Sequence, residues 1–236
     1  MRPGSDAVAA VILAGGEGRR MGGRSKALLP LGGLPLIRHV LGRLRGQIAD
    51  IAVSTRDPAV GAAVPGLPLL PDRHAERRGP LAGILAGMLW CQAAHPDRRW
   101  LLSLPVDCPF LPDDLVARLA GRASVGDARI VVAASGGVEH RAVALWDVTL
   151  AEALAPVVEA AADLSIRRFY QRFPHAICDF PVGAIDPFLN INTPEALERA
   201  EDALRMGEDL EPVRPRDADQ RDAGGLGLAD GEKGRG

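Results

Sequence analysis

A glycine-rich turn followed by clustered cations is the first part of this sequence suited to binding a charged ligand. The apolar run 8–13 ends at Ala14-Gly15-Gly16, and four cations follow within eleven residues of Gly16: Arg19, Arg20, Arg24 and Lys26. Glycines let the backbone turn tightly and bring a ligand close to main-chain N–H groups. A turn of this kind after a strand, with cations nearby, predicts a polyphosphate site. The alternative is a flexible basic loop without a ligand, although such a loop needs no apolar strand leading into it.

The familiar phosphate-binding and nucleophile motifs do not fit this loop. A Walker A loop has serine or threonine after its lysine, whereas here Lys26 follows Ser25. The dinucleotide-binding fingerprint requires a third glycine where Met21 stands. A hydrolase elbow requires a glycine two residues after its serine, and Ala27 occupies that position. The sequence therefore predicts a phosphate site of another kind.

A carboxylate stands just after another predicted strand. The apolar run 100–104 leads into Pro105-Val106-Asp107-Cys108-Pro109, so a proline on either side restricts the backbone around Asp107. Mg²⁺ prefers oxygen ligands and often binds one or two carboxylates beside phosphates, which suits Asp107 at the carboxyl end of a central strand. Aspartate is also common in turns, so a structural turn before Pro109 is the alternative. The residues by themselves favour the metal ligand and the structural turn equally.

Two asparagines near the carboxyl end of the chain are spaced so that they share one side of an extended segment. The segment 188–192 alternates apolar and polar residues, which predicts a strand whose Asn190 and Asn192 side chains point the same way. Thr193 and Pro194 then occupy favourable cap and first positions of a helix. Asx turns at the end of a strand are the alternative for the two asparagines.

These segments together resemble the nucleotidyltransferases that include molybdenum cofactor guanylyltransferase. The resemblance covers residues 8–204 and rests on four motifs in the family's order: Leu13-Ala-Gly-Gly-x-x-x-Arg20-Met21-Gly22-x-x-x-Lys26, Gly79-Pro-Leu-Ala-Gly, Asp107-Cys-Pro and Asn190-Ile-Asn-Thr-Pro. It implies a single Rossmann-like α/β domain of the nucleotide-diphospho-sugar transferase type. It also implies transfer of GMP from GTP to molybdenum-bound molybdopterin, with release of pyrophosphate.

The resemblance implies roles for individual residues as well. Arg20, Lys26 and Asp107 would be catalytic, and Asp107 with Asn192 would hold Mg²⁺. The nucleotide would contact a larger set of residues: Leu13, Ala14, Gly15, Gly16, Lys26, Ser54, Asp72 and Asp107. Ser54 stands where the family has a longer asparagine.

Gly15 distinguishes two branches of the family, because the cytidylyl branch has alanine there. A Cβ at position 15 would obstruct the approach of guanine and narrow the allowed backbone angles. The resemblance therefore implies selection of GTP. Two alternatives stay open: transfer with cytosine or onto a sugar phosphate, and a non-catalytic protein that binds or delivers a pterin cofactor. Molybdenum-insertion proteins and recipient molybdoenzymes are the further partners implied, and we expect a monomer.

Composition narrows the class of protein. A net charge of −2 and an aromatic content of 4% argue against nucleic-acid binding. Cys91, Cys108 and Cys178 are odd in number and far apart, which predicts reduced thiols in a cytoplasmic protein and no disulfide framework. Neither Cys-x-x-Cys nor His-Glu-x-x-His occurs in the sequence, so we expect no zinc site. No apolar run has the length of a membrane span, so we expect no membrane association.

Strands and helices alternate along the chain, which predicts a doubly wound, mostly parallel sheet with helices on both faces. This domain is expected over residues 1–206, and the charged, glycine-rich composition of 207–236 predicts a disordered tail. The predicted strands are 8–13, 48–55, 67–70, 100–104, 129–134, 141–146 and 188–192. The predicted helices begin at Pro35, Gly79, Pro112, Asp147, Asp163 and Pro194.

Two features remain open between structural and functional roles. His140 is predicted just before a strand, where it either supports the fold or faces a substrate. The basic face formed by Arg167, Arg168 and Arg172 is either solvated or receives an anionic substrate or partner.

Overall fold

A mixed central sheet organises the fold. The computed structural model describes residues 7–15, 25–71, 79–160 and 164–206. Its strands are β1 (Val8–Leu13), β2 (Pro30–Leu31), β3 (Leu34–Pro35), β4 (Ile51–Ser54), β5 (Leu69–Leu70), β6 (Trp100–Pro105), β7 (Ile130–Ser135), β8 (Val138–Asp147) and β9 (His175–Phe180). Seven of them form one sheet in the order β5-β4-β1-β6-β8-β7-β9, and β2 pairs with β3 in a separate ribbon.

Strand direction brings three strand ends together. β1 pairs in parallel with both β4 and β6, whereas β8 runs antiparallel to its neighbours β6 and β7. In this register Leu13 lies beside Ser54 on one side and Pro105 on the other. Parallel sheets of this type bind ligands at the carboxyl ends of their strands. The glycine-rich turn and the Asp107 segment therefore leave the sheet at the same edge.

Helices cover both faces of the sheet. They are α1 (Leu36–Arg45), α2 (Pro58–Ala63), α3 (Gly79–Ala94), α4 (Leu115–Ala123), α5 (Ala151–Ala160), α6 (Ile166–Tyr170) and α7 (Pro194–Arg205). Ala10 and Ile12 of β1 belong to the core cluster that contains α1 and α4, whereas Ala9 and Val11 belong to the cluster that contains α3 and α5. This alternation follows from the two-residue period of a strand and confirms the predicted doubly wound architecture.

Small residues let α3 lie close to the sheet. An added Cβ at Gly87 would come 2.8 Å from Val11 Cγ1 and 2.9 Å from Leu101 Cδ2. Contacts this short between carbons are strongly repulsive, so the helix backbone approaches the sheet only because position 87 carries no side chain.

The helix that begins at Gly79 starts where the sequence predicts it, but other boundaries differ. Pro35 precedes α1 and pairs with Pro30 in the ribbon, instead of opening the helix. The predicted helix from Asp147 begins as the 3-10 turn Val148–Leu150, which the Asp147 carboxylate caps by accepting the Thr149 N–H. Ser165 caps α6 by accepting the Arg168 N–H, and Asp163, from which a helix was predicted, lies outside the described residues.

The predicted strand at 188–192 is wrong. Asp186 Oδ1 accepts the Phe188 N–H at 2.8 Å, and the Asp186 carbonyl accepts the Leu189 N–H at 3.0 Å, so the chain turns here. Four elements that were not predicted from the sequence are present: α2, β9 and the two strands of the ribbon, β2 and β3. Thr193 does cap α7, with Pro194 in its first turn, as predicted.

None of the helices in the described residues is long and apolar enough to cross a membrane. The predicted tail 207–236 lies outside the described residues.

Candidate active site

Main-chain hydrogen bonds fix the edge of the sheet where β1, β4 and β6 end. Ala14 N donates to the Ser54 carbonyl at 2.9 Å, and Val106 N donates to the Leu13 carbonyl at 3.2 Å. These bonds extend the strand pairing by one residue beyond each strand end. The first residues of the glycine-rich turn and of the Asp107 segment are therefore held side by side.

Ser54 and Leu13 lie against a helix backbone at this edge. Ser54 is only 6% exposed, and an added Cβ at Gly83 of α3 would lie 2.8 Å from Ser54 Oγ and 2.7 Å from Leu13 Cδ2. The absence of a side chain at Gly83 thus makes room for the side chains of Ser54 and Leu13, both of which are predicted to contact the nucleotide. Gly83 belongs to the Gly79-Pro-Leu-Ala-Gly motif, so the motif has a packing role beside the site.

Gly15 is exposed, and the described residues around it leave room for a side chain. Its φ lies outside the left-handed region, and an added Cβ would meet no described atom within 4 Å. In this conformation neither the backbone angle nor a described neighbour excludes a Cβ at position 15, and obstruction of a bound base stays a prediction. Gly16, Arg20 and Asp72, also predicted as site residues, lie outside the described residues.

Lys26 and Asp107 meet at this edge although 81 residues separate them. Lys26 Nζ donates to Asp107 Oδ2 at 2.9 Å, and the two side chains are 17% and 12% exposed. Lys26 begins a 3-10 turn, and Asp107 lies two residues beyond β6. Because both groups are largely screened from water, their attraction is stronger than that of a surface ion pair.

Both asparagines of the carboxyl-terminal motif reach this pair. Asn190 Nδ2 donates to Asp107 Oδ1 at 3.1 Å, and Asn192 Oδ1 accepts a hydrogen bond from Lys26 Nζ. Ile191 N, between them, donates to the Asp107 carbonyl at 2.9 Å. A turning loop, and not the predicted strand, achieves this convergence. Asn190 was given no role from the sequence, although the Asn-x-Asn spacing indicated that it lies on the same side as Asn192.

The residues around Asp107 fit a hard divalent cation. The Lys26 ammonium is held by a carboxylate oxygen and an amide oxygen, which is the type of donor set that Mg²⁺ accepts. Within the described ranges no three His, Cys, Asp or Glu side chains cluster as a metal site.

Cys108, the neighbour of Asp107, is not a reactive group. It is 2% exposed, and burial raises the pKa of its thiol well above the ordinary value, with the nearby Asp107 carboxylate acting in the same direction. The thiolate is the nucleophilic and metal-binding form of cysteine. Cys108 therefore serves as a buried packing residue whose Sγ donates to the Phe188 carbonyl at 3.6 Å.

The basic residues of the predicted face lie on α6 or just after it. Arg167 and Arg168 are exposed on this short helix, and Arg172 lies beyond its end. The Arg172 guanidinium lies 5.9 Å from the ring centroids of both Phe169 and Phe173. Arg172 thus makes cation–π contacts with these aromatics, and binding of an anion by the basic face stays a prediction.

Comparison with known proteins connects this geometry with a family. The model of the MobA-like NTP transferase domain matches residues 10–177. A molybdenum cofactor guanylyltransferase of Rhodopseudomonas palustris (strain HaA2) is 45% identical over 192 residues, which cover 81% of this chain and 90% of the relative. The protein of the same name from Cereibacter sphaeroides is 46% identical over 196 residues, covering 83% of this chain and 96% of the relative.

A solved structure shows the same fold. The molybdopterin-guanine dinucleotide biosynthesis protein A of Archaeoglobus fulgidus matches with a TM-score of 0.66 at 21% identity, over 84% of this chain and 99% of that one. At this level of identity the likeness concerns the fold alone.

Proposed function

We infer that this chain, which belongs to the MobA-like NTP transferase family, transfers GMP from GTP to molybdenum-bound molybdopterin and releases pyrophosphate. The observation that carries this proposal is the meeting of Lys26, Asp107 and the two asparagines at the edge where the glycine-rich turn leaves the sheet. The names of the close relatives support guanine as the base and molybdopterin as the acceptor, over cytosine or a sugar phosphate.

The proposed reaction is an in-line displacement at the α-phosphorus of GTP. A terminal phosphate oxygen of molybdopterin forms the new P–O bond, and the bond from the α-phosphorus to the oxygen bridging to the β-phosphate breaks. Pyrophosphate leaves with that electron pair. Because the attacking oxygen is already anionic, no strong general base is needed, and the protein contributes positioning and neutralisation of charge.

The residues of the site have complementary tasks in this scheme. Main-chain N–H groups of the turn that starts at Ala14 would hold the triphosphate, with Leu13, Gly15, Gly16, Ser54 and Asp72 as the remaining proposed nucleotide contacts. Lys26 would exchange its ion pair with Asp107 for the more highly charged phosphates. Arg20 would neutralise charge on the leaving pyrophosphate.

Mg²⁺ is the metal we propose for this site, held by Asp107 with Asn192. Bound there, it would neutralise phosphate charge in the transition state. When Lys26 leaves Asp107 for the arriving phosphates, the Asp107 carboxylate would become free to bind Mg²⁺. A pterin-binding protein without activity has no need of such a carboxylate, which is why we favour the enzyme.

The remaining proposals concern the surroundings of the enzyme. Three free, buried cysteines fit a reducing compartment such as the cytoplasm. A monomer is supported by the edge strand β9, because Arg118 and Arg122 of α4 donate to the carbonyls of Asp179 and Ile177. Side chains that cover the backbone of an edge strand hinder its pairing with a strand of a second molecule. Molybdenum-insertion proteins and recipient molybdoenzymes remain the further partners we propose.

Replacement of Asp107 tests the proposed function. With labelled GTP and molybdenum-loaded molybdopterin, the wild type should form the guanine dinucleotide in a Mg²⁺-dependent manner, and Asp107→Ala should not. The matched control is Asp113→Ala, since Asp113 pairs with Arg43 through a side chain that is 80% exposed. Near-normal turnover of Asp107→Ala at every Mg²⁺ concentration would contradict the metal role, and no product from the wild type would contradict the transferase.

A further inference from the structure

A second polar cluster lies at the carboxyl end of β7. Ser135 Oγ is 2.8 Å from Asp186 Oδ1 and 2.6 Å from His140 Nε2, and Ser135 is 1% exposed. His140 lies within β8, beside a bulge in its pairing with β7, and not before the strand as predicted. Because β7 and β6 both run antiparallel to β8, the cluster lies at the same edge of the sheet as Asp107.

The protons of this cluster can be placed from its hydrogen bonds. Ser135 has one hydroxyl proton, which it donates to Asp186 Oδ1, so the His140 ring donates from Nε2 to Ser135 Oγ. Burial lowers the pKa of His140, in agreement with a neutral ring. A nucleophilic serine is instead exposed and donates its proton to histidine. The cluster is therefore not a hydrolytic triad.

Asp186 connects the cluster to the loop that carries the asparagines. We call residues 186–192 the asparagine loop. Asp186 Oδ1 also accepts the Phe188 N–H at 2.8 Å. The Phe188 ring is 2% exposed and packs 4.7 Å from the His140 ring and 5.2 Å from the Phe180 ring. The first half of the loop is thus fixed to β8 and β9 as well as to β7.

The second half of the asparagine loop is bonded to the Asp107 segment. Cys108 Sγ donates to the Phe188 carbonyl, and Ile191 N donates to the Asp107 carbonyl. Asn190 Nδ2 reaches Asp107 Oδ1 at 3.1 Å. Only Leu189 separates Phe188, which is fixed at the Ser135 cluster, from Asn190, so a displacement of one is transmitted to the other.

We propose that Ser135, His140 and Asp186 are positioning residues that hold the asparagine loop at the distance at which Asn190 and Asn192 bind Asp107 and Lys26. None of the three is placed in contact with the nucleotide. The kinetic consequence rests on the proposed function, whereas the structural consequence for Asn190 does not. A misplacement of about 1 Å in an active site can cost roughly a hundredfold in rate.

Replacement of Asp186 separates positioning from general stability. Asp186→Ala removes the acceptor for Ser135 and Phe188, while Asp186→Asn keeps an Oδ1 that accepts both bonds. The matched control is Asp147→Ala, because Asp147 also accepts an N–H two residues later, from Thr149, at the opposite end of β8. We expect Asp186→Ala to lower kcat by about ten- to a hundredfold. The KM for GTP should change less, Asp186→Asn should restore kcat, and Asp147→Ala should leave kcat unchanged.

The side-chain amide resonance of Asn190 provides a readout that does not depend on activity. Assigned by its loss in Asn190→Ala, this resonance should shift in Asp186→Ala and keep its position in Asp147→Ala. If Asp186→Ala does not fold, Ser135→Ala provides the milder perturbation and should shift the same resonance. An unchanged Asn190 resonance in a folded variant would overturn the positioning role, as would equal kcat losses in Asp186→Ala and Asp147→Ala. Failure of the wild type to transfer GMP would contradict the proposed function, and the resonance would still decide this inference.

Discussion

Gly83→Ala tests whether the close contact between α3 and the strand ends serves nucleotide binding. The added Cβ would lie 2.7 Å from Leu13 Cδ2 and 2.8 Å from Ser54 Oγ, so both side chains must move. Overpacking costs about 1–3 kcal/mol, and the better helix propensity of alanine returns about 1 kcal/mol, which leaves a net loss of roughly 0–2 kcal/mol. A domain of this size changes its melting temperature by about 2–4 °C per kcal/mol.

The functional part of this prediction concerns Ser54. If its hydroxyl binds the nucleotide, its displacement should cost about 1.4 kcal/mol, the energy of one hydrogen bond, and raise the KM for GTP about tenfold. Melting temperature and the KM for GTP would be measured on the same preparations.

Two glycines of the same chain provide controls. Gly87→Ala, one turn further along α3, meets Val11 and Leu101 equally closely but lies further from the strand ends, so it should lose similar stability with a normal KM. Gly121→Ala in α4 meets nothing within 4 Å and should gain roughly 1 kcal/mol. Equal KM values in Gly83→Ala and Gly87→Ala would refute the reasoning that links Gly83 to the nucleotide.

Three further predictions concern separate parts of the chain. Gly15→Ala should keep the wild-type melting temperature, since its Cβ meets no described atom within 4 Å, but should lower kcat/KM with GTP more than with CTP; a lower melting temperature would contradict this. Truncation after Met206 should leave melting temperature and turnover unchanged, and a fall of several degrees would show that the tail docks. Burial lowers the pKa of His140 in the folded protein, although the Asp186 carboxylate acts in the opposite direction. The free energy of unfolding should therefore be highest above about pH 6.5 and should decline as the pH falls below that value, because the unfolded chain then binds the proton more readily. His140→Gln, which keeps an N–H donor for Ser135, should lose less stability over that range, and identical pH profiles would contradict the assignment.

Much of the fold followed from sequence because the core strands and helices have strong local patterns. The apolar run of β1, the stripe of α1 and the small residues of α3 identify these elements without tertiary information. The elements that were missed are short or half-buried. In β9 the buried Ala176, Cys178 and Phe180 alternate with more exposed residues, a pattern that was present but interrupted by Ile177.

The site was predictable where a motif carried the information and not where tertiary contacts did. Lys26, Asp107 and Asn192 were assigned from motifs, and the structure brings them together. The segment 188–192 has the alternation of a strand, but Asp186 and Asp107 supply the hydrogen bonds that turn it into a loop. The cluster of Ser135, His140 and Asp186 joins residues 51 positions apart, and no local pattern indicates such a contact.

The central claim is that this chain is a guanylyltransferase, and nucleotide selection by the wild type tests it most directly. The measurement is kcat/KM for GTP and for CTP with molybdenum-loaded molybdopterin as the acceptor and Mg²⁺ present. A site that hydrogen-bonds the edge of guanine leaves polar groups unpaired with another base, so we expect GTP to be preferred by roughly a hundredfold or more. Equal values or a preference for CTP would contradict the guanylyl assignment, and the absence of turnover with either nucleotide would contradict the transferase itself.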